Sequence, residues 1–268
     1  MSRTLKQMMD LSGRVGVVTG GGGHIGSEAA LALAELGADV AVVDVNGPRA
    51  TATAENITRD FDVRAVAMEV DLSNEKAVRA LPDKIVGALG RLDILVNNAA
   101  FVGTSKLKGW AVPFEEQELD AWRAALEVNL TAVFALVQSA TPSLRESGNG
   151  SVINVGSIYG LLGPDFRLYE GTEMGNPAAY GASKGGLLQL TRWLSTALAP
   201  NVRVNAITPG GVWRNQPDTF VARYIENTPL GRMASEEDMK GAVAFLASDL
   251  SAYVTGENLI VDGGWSAW

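Results

Sequence analysis

The chain of 268 residues contains no cysteine. It therefore has no disulfide bond and no thiol nucleophile, a composition that fits a reducing compartment. Residues 1–13 lack the apolar core of a signal peptide, and no apolar run has the length of a membrane span. We therefore expect a cytoplasmic protein, and we predict no metal site.

Positive charge is also scarce, because 22 lysine and arginine residues stand against 30 aspartate and glutamate residues, for a net charge of −8. Nucleic acids and anionic membranes bind basic surfaces that displace counterions, so we expect neither as a partner. Hydrophobic residues make up 47% of the chain, which is enough for one large core. The partner that we expect is a small-molecule substrate.

Apolar strand patterns alternate with helical patterns along the chain. Some apolar runs are continuous, as at residues 40–43, which is typical of strands covered on both faces. The alternation predicts one α/β domain over residues 1–268, a single doubly wound Rossmann fold with a seven-stranded parallel sheet and helices on both faces. The predicted strands are residues 14–19, 39–44, 64–70, 92–97, 151–155, 202–207 and 258–261.

A glycine-rich turn follows the first predicted strand. Residues 19–26 read Thr-Gly-Gly-Gly-Gly-His-Ile-Gly and open a helical pattern. Glycine lets the backbone approach a pyrophosphate, and the free N–H groups of a helix N-terminus bind its charge. The second strand ends in Asp44, at the spacing of a carboxylate that binds ribose hydroxyls. The pattern predicts a dinucleotide site at the carboxyl ends of the strands.

Tyr180 and Lys184 stand four residues apart at the start of an apolar helical pattern. One helical turn brings them to the same face, so an ammonium lies beside a phenol. A nearby cation favours the phenolate and draws the tyrosine pKa from about 10 toward neutrality, where proton transfer is most efficient. By itself, this spacing is also typical of a helix end with a structural tyrosine and a surface lysine.

With a series of shorter motifs, these residues make the chain resemble the short-chain dehydrogenase/reductase family over nearly its whole length. The motifs are, in order, Asp71-Leu72, Asn97-Asn98-Ala99-Ala100, Val128-Asn129-Leu130, a strand ending at Ser157, Arg203-Val204-Asn205, Pro209-Gly210 and Asp262-Gly263-Gly264. The resemblance implies an oxidoreductase that transfers a hydride between a nicotinamide cofactor and an alcohol or ketone.

The resemblance also implies a role for each of four catalytic residues. Tyr180 is the general acid and base, and Lys184 lowers its pKa and holds the nicotinamide ribose. Ser157 hydrogen-bonds the reacting oxygen, and Asn129 keeps a water that links Lys184 to solvent. The implied cofactor-binding residues are Gly20, Gly23, His24, Ile25, Gly26, Asp44, Asp71, Leu72, Asn98, Ala99, Tyr180, Lys184, Pro209, Gly210 and Val212.

Three positions depart from the family pattern. His24 stands where glycine is usual, Ala100 stands where glycine is common, and Arg214-Asn215 replaces a region that often contains threonine. We interpret His24 as lining the pyrophosphate, and a catalytic role is the alternative. Arg214 is either a binding group for a phosphate or a solvated arginine.

Asp44 also predicts which cofactor binds. A carboxylate accepts two ribose hydroxyls and repels a 2′-phosphate, so we predict NAD rather than NADP. Arg49 is close enough in sequence to bind a 2′-phosphate, but Pro48 predicts a helix start that carries this arginine away.

Residues 160–178 form a longer connection between Ser157 and Tyr180 than the family usually has. Because both ends are fixed at the catalytic site, we expect this segment to line the substrate pocket. Its polar residues Asp165, Arg167, Tyr169 and Glu170 then bind hydroxyl groups, which favours a hydroxyl-rich substrate. The alternatives are a solvated loop and an oligomer contact.

Two short strings, residues 169–172 and 210–217, are similar to a branch of the family that acts on sugars in bacterial surface-glycan metabolism. The substrate hypothesis is a sugar, polyol or sugar phosphate, with Arg167 and Arg214 as candidates for binding a phosphate. Two alternatives stay open. One is a 3-oxoacyl-carrier-protein reductase that uses NADPH, and the other is a non-catalytic dinucleotide-binding scaffold or sensor.

The resemblance implies a homotetramer or homodimer built on two long helices, which we predict at residues 115–147 and 179–198. Trp265 and Trp268 lie near the end of the sequence. We expect them to add aromatic surface that assembly covers.

Overall fold

A computed structural model describes residues 2–102 and 107–268. Strands and helices alternate along these residues, as the hydrophobic pattern predicts. The strands are β1 (Val15–Thr19), β2 (Asp39–Asp44), β3 (Ala65–Glu69), β4 (Ile94–Asn97), β5 (Gly150–Val155), β6 (Val202–Pro209) and β7 (Asn258–Val261). The α-helices are α1 (Leu5–Met9), α2 (His24–Glu35), α3 (Gly47–Asp60), α4 (Glu75–Leu89), α5 (Leu119–Leu126), α6 (Ala132–Glu146), α7 (Ala178–Leu198), α8 (Asp218–Glu226) and α9 (Lys240–Ala247).

The strands form one parallel seven-stranded sheet in the order β3-β2-β1-β4-β5-β6-β7. This arrangement confirms the predicted doubly wound α/β domain. The chain runs outward from β1 to β3 and then crosses to β4 on the other side of β1. Ligands of such sheets bind in the crevice at this reversal. Thr19 pairs with Asn97 there, so the segments that follow β1 and β4 leave the sheet side by side.

Helices cover both faces of the sheet because successive strand side chains point to opposite sides. Val17 belongs to the core beneath α4, α6 and α7, whereas Val18 belongs to the core beneath α2, α3 and α9. Both valines are fully buried. Burial on two sides is the physical reason for the continuous apolar runs in the sequence.

The predicted helix over residues 115–147 is interrupted. A 3₁₀ turn at Phe114–Glu116 precedes α5, and a π-helical turn at Glu127–Thr131 separates α5 from α6. The π-helical turn contains Asn129, which is 1% exposed. The predicted long helix is therefore present over Leu119–Glu146, but it begins later than predicted and contains a π-helical turn, because an i→i+5 turn inserts one extra residue without changing the apolar pattern enough to show it.

Among the described residues, one helical segment has the length and composition of a membrane span. It runs from Leu119 to Glu146 over 28 residues, with a mean hydropathy of 1.3 in its most apolar window. This corrects the expectation that no apolar segment has such a length. Within that window, 44% of the residues are buried inside the protein, and α5 packs on α7 while α6 packs on α4. The segment is therefore built into the core of the domain.

The connection between β5 and α7 folds against α8. It contains a 3₁₀ turn at Phe166–Tyr169, and Leu168 in that turn is 1% exposed. Leu168 belongs to a small third core with Phe220, Tyr224 and Trp265. Trp265 stacks on Tyr224 with the ring centroids 5.7 Å apart. The expectation that Trp265 is surface is therefore wrong.

Candidate active site

One cleft at the carboxyl edge of the sheet brings together all the predicted cofactor-binding residues. It is lined by Gly20, Gly23, His24, Ile25, Gly26, Asp44, Asp71, Leu72, Asn98, Ala99, Tyr180, Lys184, Pro209, Gly210 and Val212. Ser157 lines the same cleft. These residues are far apart in sequence, but parallel strands end at the same edge of a sheet.

The glycine-rich turn has the close backbone packing that a dinucleotide site requires. Gly20 has a φ of 64°, in the left-handed region that favours glycine. A Cβ atom on Gly26 would lie 2.1 Å from the carbonyl oxygen of Gly20, so only glycine lets α2 approach the turn. The N-cap residue of α2, Gly23, has no side chain to occupy the helix N–H groups. These groups remain available to a phosphate, so the turn fits a dinucleotide pyrophosphate.

Asp44 ends β2 beside this turn, and its carboxylate is held by the backbone. One oxygen, Oδ2, accepts the N–H of Gly22 at 3.0 Å, and the other, Oδ1, accepts the N–H of Asn46 at 2.9 Å. Each carboxylate oxygen can accept a second hydrogen bond. Asp44 is therefore a fixed acceptor in the cleft, as a site for two ribose hydroxyls requires.

Arg49 lies closer to the glycine-rich turn than the sequence predicts. α3 begins at Gly47, with Pro48 in its first turn as expected. However, a Cβ atom on Gly22 would lie 2.7 Å from the Cβ atom of Arg49. The helix therefore does not carry Arg49 away. Instead, Arg49 lines a second groove on the outer side of the turn, next to the main cleft.

Asn98 fastens β4 to the glycine-rich turn. Its amide nitrogen donates to the carbonyl oxygen of Thr19 at 3.0 Å and to that of Gly20 at 3.3 Å. The backbone N–H groups of Asn98 and Ala99 both donate to the hydroxyl of Thr19, at 3.1 and 3.2 Å. These bonds fix the two segments that leave the sheet at the strand-order reversal.

Tyr180 lies in the first turn of α7, and it lines the same cleft as Ser157. Ser157 is 6% exposed, and its Oγ atom also accepts the backbone N–H of Tyr159 at 3.2 Å. Burial raises the pKa of Tyr180, whereas the neighbouring Ser157 hydroxyl and the charge of Arg214 lower it. Both hydroxyl-bearing residues line the cleft, so this pair can bind one oxygen atom of a ligand.

Lys184 is 3% exposed, and its ammonium donates to the carbonyl oxygen of Val155 at 2.6 Å. Its Nζ atom lies 6.0 Å from the centroid of the Tyr180 ring. Burial lowers the pKa of Lys184 to about 8. The expected lowering of the Tyr180 pKa by Lys184 is not found, because the ammonium bonds to the end of β5. In this structure, the cation that lowers the Tyr180 pKa is Arg214.

Asn129 lies behind the cleft and holds its wall in place. Its Oδ1 atom accepts the N–H of Phe101 at 2.7 Å, and its amide donates to the carbonyl oxygen of Phe101 at 3.1 Å. The second amide hydrogen reaches the hydroxyl of Ser183 at 3.0 Å. Because both amide hydrogens are used, Asn129 can hold a water only through an acceptor oxygen.

Glu236 is a site residue that the sequence does not reveal. Its Oε1 atom lies 3.3 Å from Nδ1 of His24 and accepts the Nε–H of Arg214 at 3.2 Å. Residues 235–238 have the pattern of a helix cap, and Ser235 and Asp238 do form a capping box. The capping signal locates the helix start but carries no information about what the intervening glutamate contacts.

The charged residues of the segment 160–178 do not line the cleft with the other described residues. Arg167 is 82% exposed, and it pairs with Asp165 at 2.7 Å, while Glu170 also lies outside the lining. The prediction that these three bind hydroxyl groups is wrong, because Asp165 caps the following 3₁₀ turn and binds its own neighbour. Tyr169 does line the cleft, and its hydroxyl lies 2.7 Å from that of Tyr159.

Other residues of the same segment line the cleft without having been predicted. Asn176 donates its amide to the hydroxyl of Tyr169 at 3.2 Å, and Met174 and Pro177 lie nearby in the wall. The pair of Tyr159 and Tyr169, together with Asn176, gives this end of the cleft neutral hydrogen-bonding groups. The sequence indicates that this segment lines the cleft, because the segment lies between Ser157 and Tyr180. The sequence does not indicate which of its side chains point into the cleft.

Comparison with known proteins gives the family. A family model described as Enoyl-(Acyl carrier protein) reductase matches residues 21–266. Cis-4-hydroxycyclohexanecarboxylate dehydrogenase of Sinomonas cyclohexanicum is 36% identical over 260 residues, which are 95% of this chain and 97% of the relative. The 3-oxoacyl-[acyl-carrier-protein] reductase FabG of Aquifex aeolicus is 34% identical, over 95% of this chain and 98% of the relative. The 2-dehydro-3-deoxy-D-gluconate 5-dehydrogenase of Escherichia coli is 33% identical, over 96% and 97%.

Solved structures agree with these relatives. A gluconate 5-dehydrogenase from Burkholderia cenocepacia, in complex with NADP and tartrate, has a TM-score of 0.86 and 29% identity and covers 99% of this chain and 100% of its own. A short chain dehydrogenase from Leptospira borgpetersenii with bound NAD+ has a TM-score of 0.82 and 31% identity, with coverage of 99% and 97%. The protein therefore belongs to the short-chain dehydrogenase/reductase family and is a nicotinamide-dependent oxidoreductase of CH–OH groups.

Proposed function

We propose that the protein transfers a hydride between NAD and a secondary alcohol or ketone of a sugar, polyol or sugar phosphate, with Tyr180 as general acid and base. The observation that carries the proposal is that Ser157 and Tyr180 both line the cleft that also contains the glycine-rich turn. The same cleft thus contains Ser157 and Tyr180, which can bind a substrate oxygen, and the N-terminus of α2, which can bind a pyrophosphate.

The chemistry divides between the cofactor and the chain. Bound NAD or NADH supplies the hydride acceptor or donor. Ser157 and Tyr180 hold the substrate oxygen through their hydroxyl groups, and Tyr180 takes the proton from that oxygen in oxidation and returns it in reduction. The charge of Arg214 stabilises the phenolate, which is the form of Tyr180 before it takes the proton in oxidation and after it gives the proton in reduction. Asn129 keeps the wall at Phe101 in position and offers an acceptor oxygen to a water.

The preference for NAD rests on the contrast between Asp44 and Arg49. Asp44 lines the main cleft, where a ribose 2′-phosphate would meet a carboxylate. Arg49 lines the outer groove instead. The two related structures were solved with NADP and with NAD+, so their contents favour neither cofactor.

A hydroxylated substrate is supported by the neutral polar groups at the far end of the cleft and by the names of relatives. Tyr159, Tyr169 and Asn176 place two hydroxyl groups and an amide there. The relatives include dehydrogenases named for a gluconate derivative and for a hydroxylated cyclohexane ring. Each of these names describes a secondary alcohol on a compact carbon skeleton.

A 3-oxoacyl-carrier-protein reductase that uses NADPH is the second candidate, because FabG of Aquifex aeolicus is 34% identical. Carrier proteins are acidic, and this chain has a net charge of −8, so net charge disfavours their association. A non-catalytic dinucleotide-binding protein is a weaker candidate, because such proteins typically lack Tyr or Lys of the pair, and Tyr180 and Lys184 are both present.

We further propose that the protein acts in the cytoplasm as a homotetramer, with a homodimer as the alternative. Three large aromatic side chains on the helices proposed to form the interface are exposed: Trp122 on α5 at 36%, Phe134 on α6 at 41% and Trp193 on α7 at 59%. Covering them on assembly is favourable. Light scattering at micromolar concentration tests this, and the mass of a monomer would refute it.

The experiment that tests the function is an absorbance assay of NAD reduction over sugars, polyols, sugar phosphates and 3-oxoacyl esters, repeated with NADP. Tyr180→Phe should lower turnover about 10²- to 10⁴-fold, because the general acid and base is lost. Tyr253→Phe is the matched control, since Tyr253 is fully exposed. Activity with the acyl ester and NADPH alone would refute the sugar and NAD proposals.

A further inference from the structure

Arg214 is the charged side chain at the substrate end of the cleft among the described residues. The other aspartate, histidine and lysine side chains in the lining are His24, Asp44, Asp71 and Lys184, and all four belong to the predicted cofactor and catalytic sets. The lining of the cleft also contains apolar side chains such as Phe220 and Met233. A lone cation in such a wall selects what can bind beside it.

The loop that carries Arg214 is fixed on both sides. The N–H of Arg214 donates to the side-chain oxygen of Gln216 at 2.6 Å, and the amide of Gln216 donates to the carbonyl oxygen of Val212 at 2.8 Å. Asn215 has a φ of 56°, a left-handed conformation that is uncommon for a residue other than glycine. Such a conformation persists only where its surroundings hold it. The position of Arg214 is thus built into the loop.

The guanidinium of Arg214 has an edge available for a ligand. Its Nε atom donates to Glu236 at 3.2 Å, and its two Nη atoms have no hydrogen bond to any residue within 2–102 or 107–268. The side chain is 32% exposed and lines the same cleft as Tyr180. Arg214 and Tyr180 therefore share one chamber, and the charge of Arg214 lowers the Tyr180 pKa.

The chemistry of this edge matches a carboxylate. Guanidinium donors form paired hydrogen bonds to the two oxygens of a carboxylate, and apolar walls strengthen such a bond. A phosphate dianion fits less well, because the nearby Glu236 carboxylate shares the single positive charge and repels a second negative charge.

We propose that Arg214 binds a carboxylate of the substrate, so that the enzyme acts on a hydroxy acid or oxo acid whose acid group is separate from the reacting carbon. The proposal rests on the function proposed above and adds the chemical class of the substrate. Ser157 and Tyr180 hold the reacting oxygen, while Arg214 holds the acid group and sets which carbon faces the cofactor.

Matched substrates test the proposal. One set is D-gluconate, D-glucitol and D-glucitol 6-phosphate, and the other is 4-hydroxycyclohexanecarboxylate and its carboxamide. The acid of each set should have the highest kcat/KM, and Arg214→Gln should lower that value about 10- to 100-fold more than it lowers the value for the neutral member, whose smaller loss reports the effect of the Arg214 charge on Tyr180. Arg214→Lys should restore part of the loss as a point charge. Preference for the phosphate, or an equal loss on acid and neutral members, would overturn the proposal.

The dissociation constant for NADH, measured by calorimetry, separates substrate binding from cofactor binding. It should be unchanged in Arg214→Gln, and an increase matching the loss in kcat/KM would assign Arg214 to the cofactor instead. Arg192→Gln is the matched control, because Arg192 is exposed on α7 and bonds only to Gln189 among the described residues.

A binding experiment without a reaction makes the test independent of turnover. Cyclohexanecarboxylate and cyclohexanecarboxamide have no hydroxyl group to oxidise, so calorimetry with the NADH-loaded protein measures recognition of the acid group alone. The acid should bind the wild type more tightly than the amide, and Arg214→Gln should remove the difference. If no panel substrate is turned over, the proposed function fails, while this experiment still decides the role of Arg214. Equal binding of acid and amide to the wild type would refute that role.

Discussion

The Nδ1 atom of His24 lies 3.3 Å from the Oε1 atom of Glu236. The contact joins the glycine-rich turn to the 3₁₀ turn at Glu236–Met239, and the same oxygen accepts the Nε–H of Arg214. Glu236 thus links the cofactor side and the substrate side of the cleft through side chains. The link explains how a histidine fits where the family usually has glycine, since the imidazole extends away from the turn toward a partner.

His24→Gly tests whether this contact serves binding or catalysis. We expect kcat to be retained and the dissociation constant of NAD to rise by about fivefold or less, because the contact joins a histidine that is 60% exposed and is worth under about 1 kcal/mol. Rapid kinetics and calorimetry measure the two quantities. Loss of turnover at unchanged cofactor affinity would instead make His24 catalytic.

Asp44→Asn should weaken the preference for NAD. The substitution removes the negative charge but keeps an oxygen for the N–H of Gly22 or Asn46, so the turn should stay intact. We expect the ratio of kcat/KM for NAD to that for NADP to fall about 10-fold or more, because the repulsion of the 2′-phosphate is lost. Steady-state assays with both cofactors measure the ratio.

Arg49→Ala is the counterpart of that experiment. Because Arg49 lines the outer groove, the substitution should leave kcat/KM for NAD unchanged within about twofold. A large loss of activity with NADP alone would show that Arg49 reaches a 2′-phosphate. That result would count against the assignment of NAD as the cofactor.

Lys184→Met should change how stability depends on pH. The pKa of Lys184 is about 8 in the folded protein and 10.5 in the unfolded chain, so between these values the unfolded state binds more protons. The wild-type free energy of unfolding should therefore rise with pH relative to the variant, by on the order of 3 kcal/mol across the full interval. Urea unfolding at pH 7.5, 8.5 and 9.5 covers the window below tyrosine ionisation.

Lys76→Met is the control for this series, since Lys76 is exposed on α4. Its unfolding free energy should run parallel to that of the wild type. If the Lys184→Met curve also runs parallel, the ammonium of Lys184 is not desolvated in the folded protein.

The segment between β5 and α7 should act on the substrate through its inward residues. Tyr169→Phe removes a hydroxyl that contacts Tyr159 and Asn176, so the KM for the substrate should rise about 3- to 10-fold. Arg167→Ala should leave KM unchanged, because Arg167 is exposed and paired with Asp165. Steady-state kinetics measures both, and the opposite order of effects would contradict the arrangement of the segment.

The sheet was predictable because its pattern is redundant. Each of the seven strands contains several apolar residues, and the observed ends differ from the predicted ends by at most two residues. The cofactor site was predictable for a related reason, since Gly20, Gly26 and Asp44 are required by backbone geometry and charge at fixed spacings.

Contacts between segments that are distant in sequence were not predictable. The approach of Arg49 to Gly22, the stacking of Trp265 on Tyr224 and the contact of Glu236 with His24 depend on how loops return to the sheet. Local helix propensity predicts where a helix begins, but it does not predict which distant side chains the residues of that helix contact. The same limit explains why Asp165 and Arg167 were expected to bind substrate and instead bind each other.

The π-helical turn at Glu127–Thr131 is equivalent to inserting one residue into an α-helix. Such an insertion rotates the helix surface that follows by about 100° relative to the surface before it. The continuous segment of α5 and α6 thereby presents one apolar stripe, on α5, to α7 and a differently directed stripe, on α6, to α4. Removing a single residue from the turn would bring the two stripes onto one face, so the segment could pack on α7 or on α4 but not on both. The amide of Asn129 would also turn away from Phe101 and Ser183.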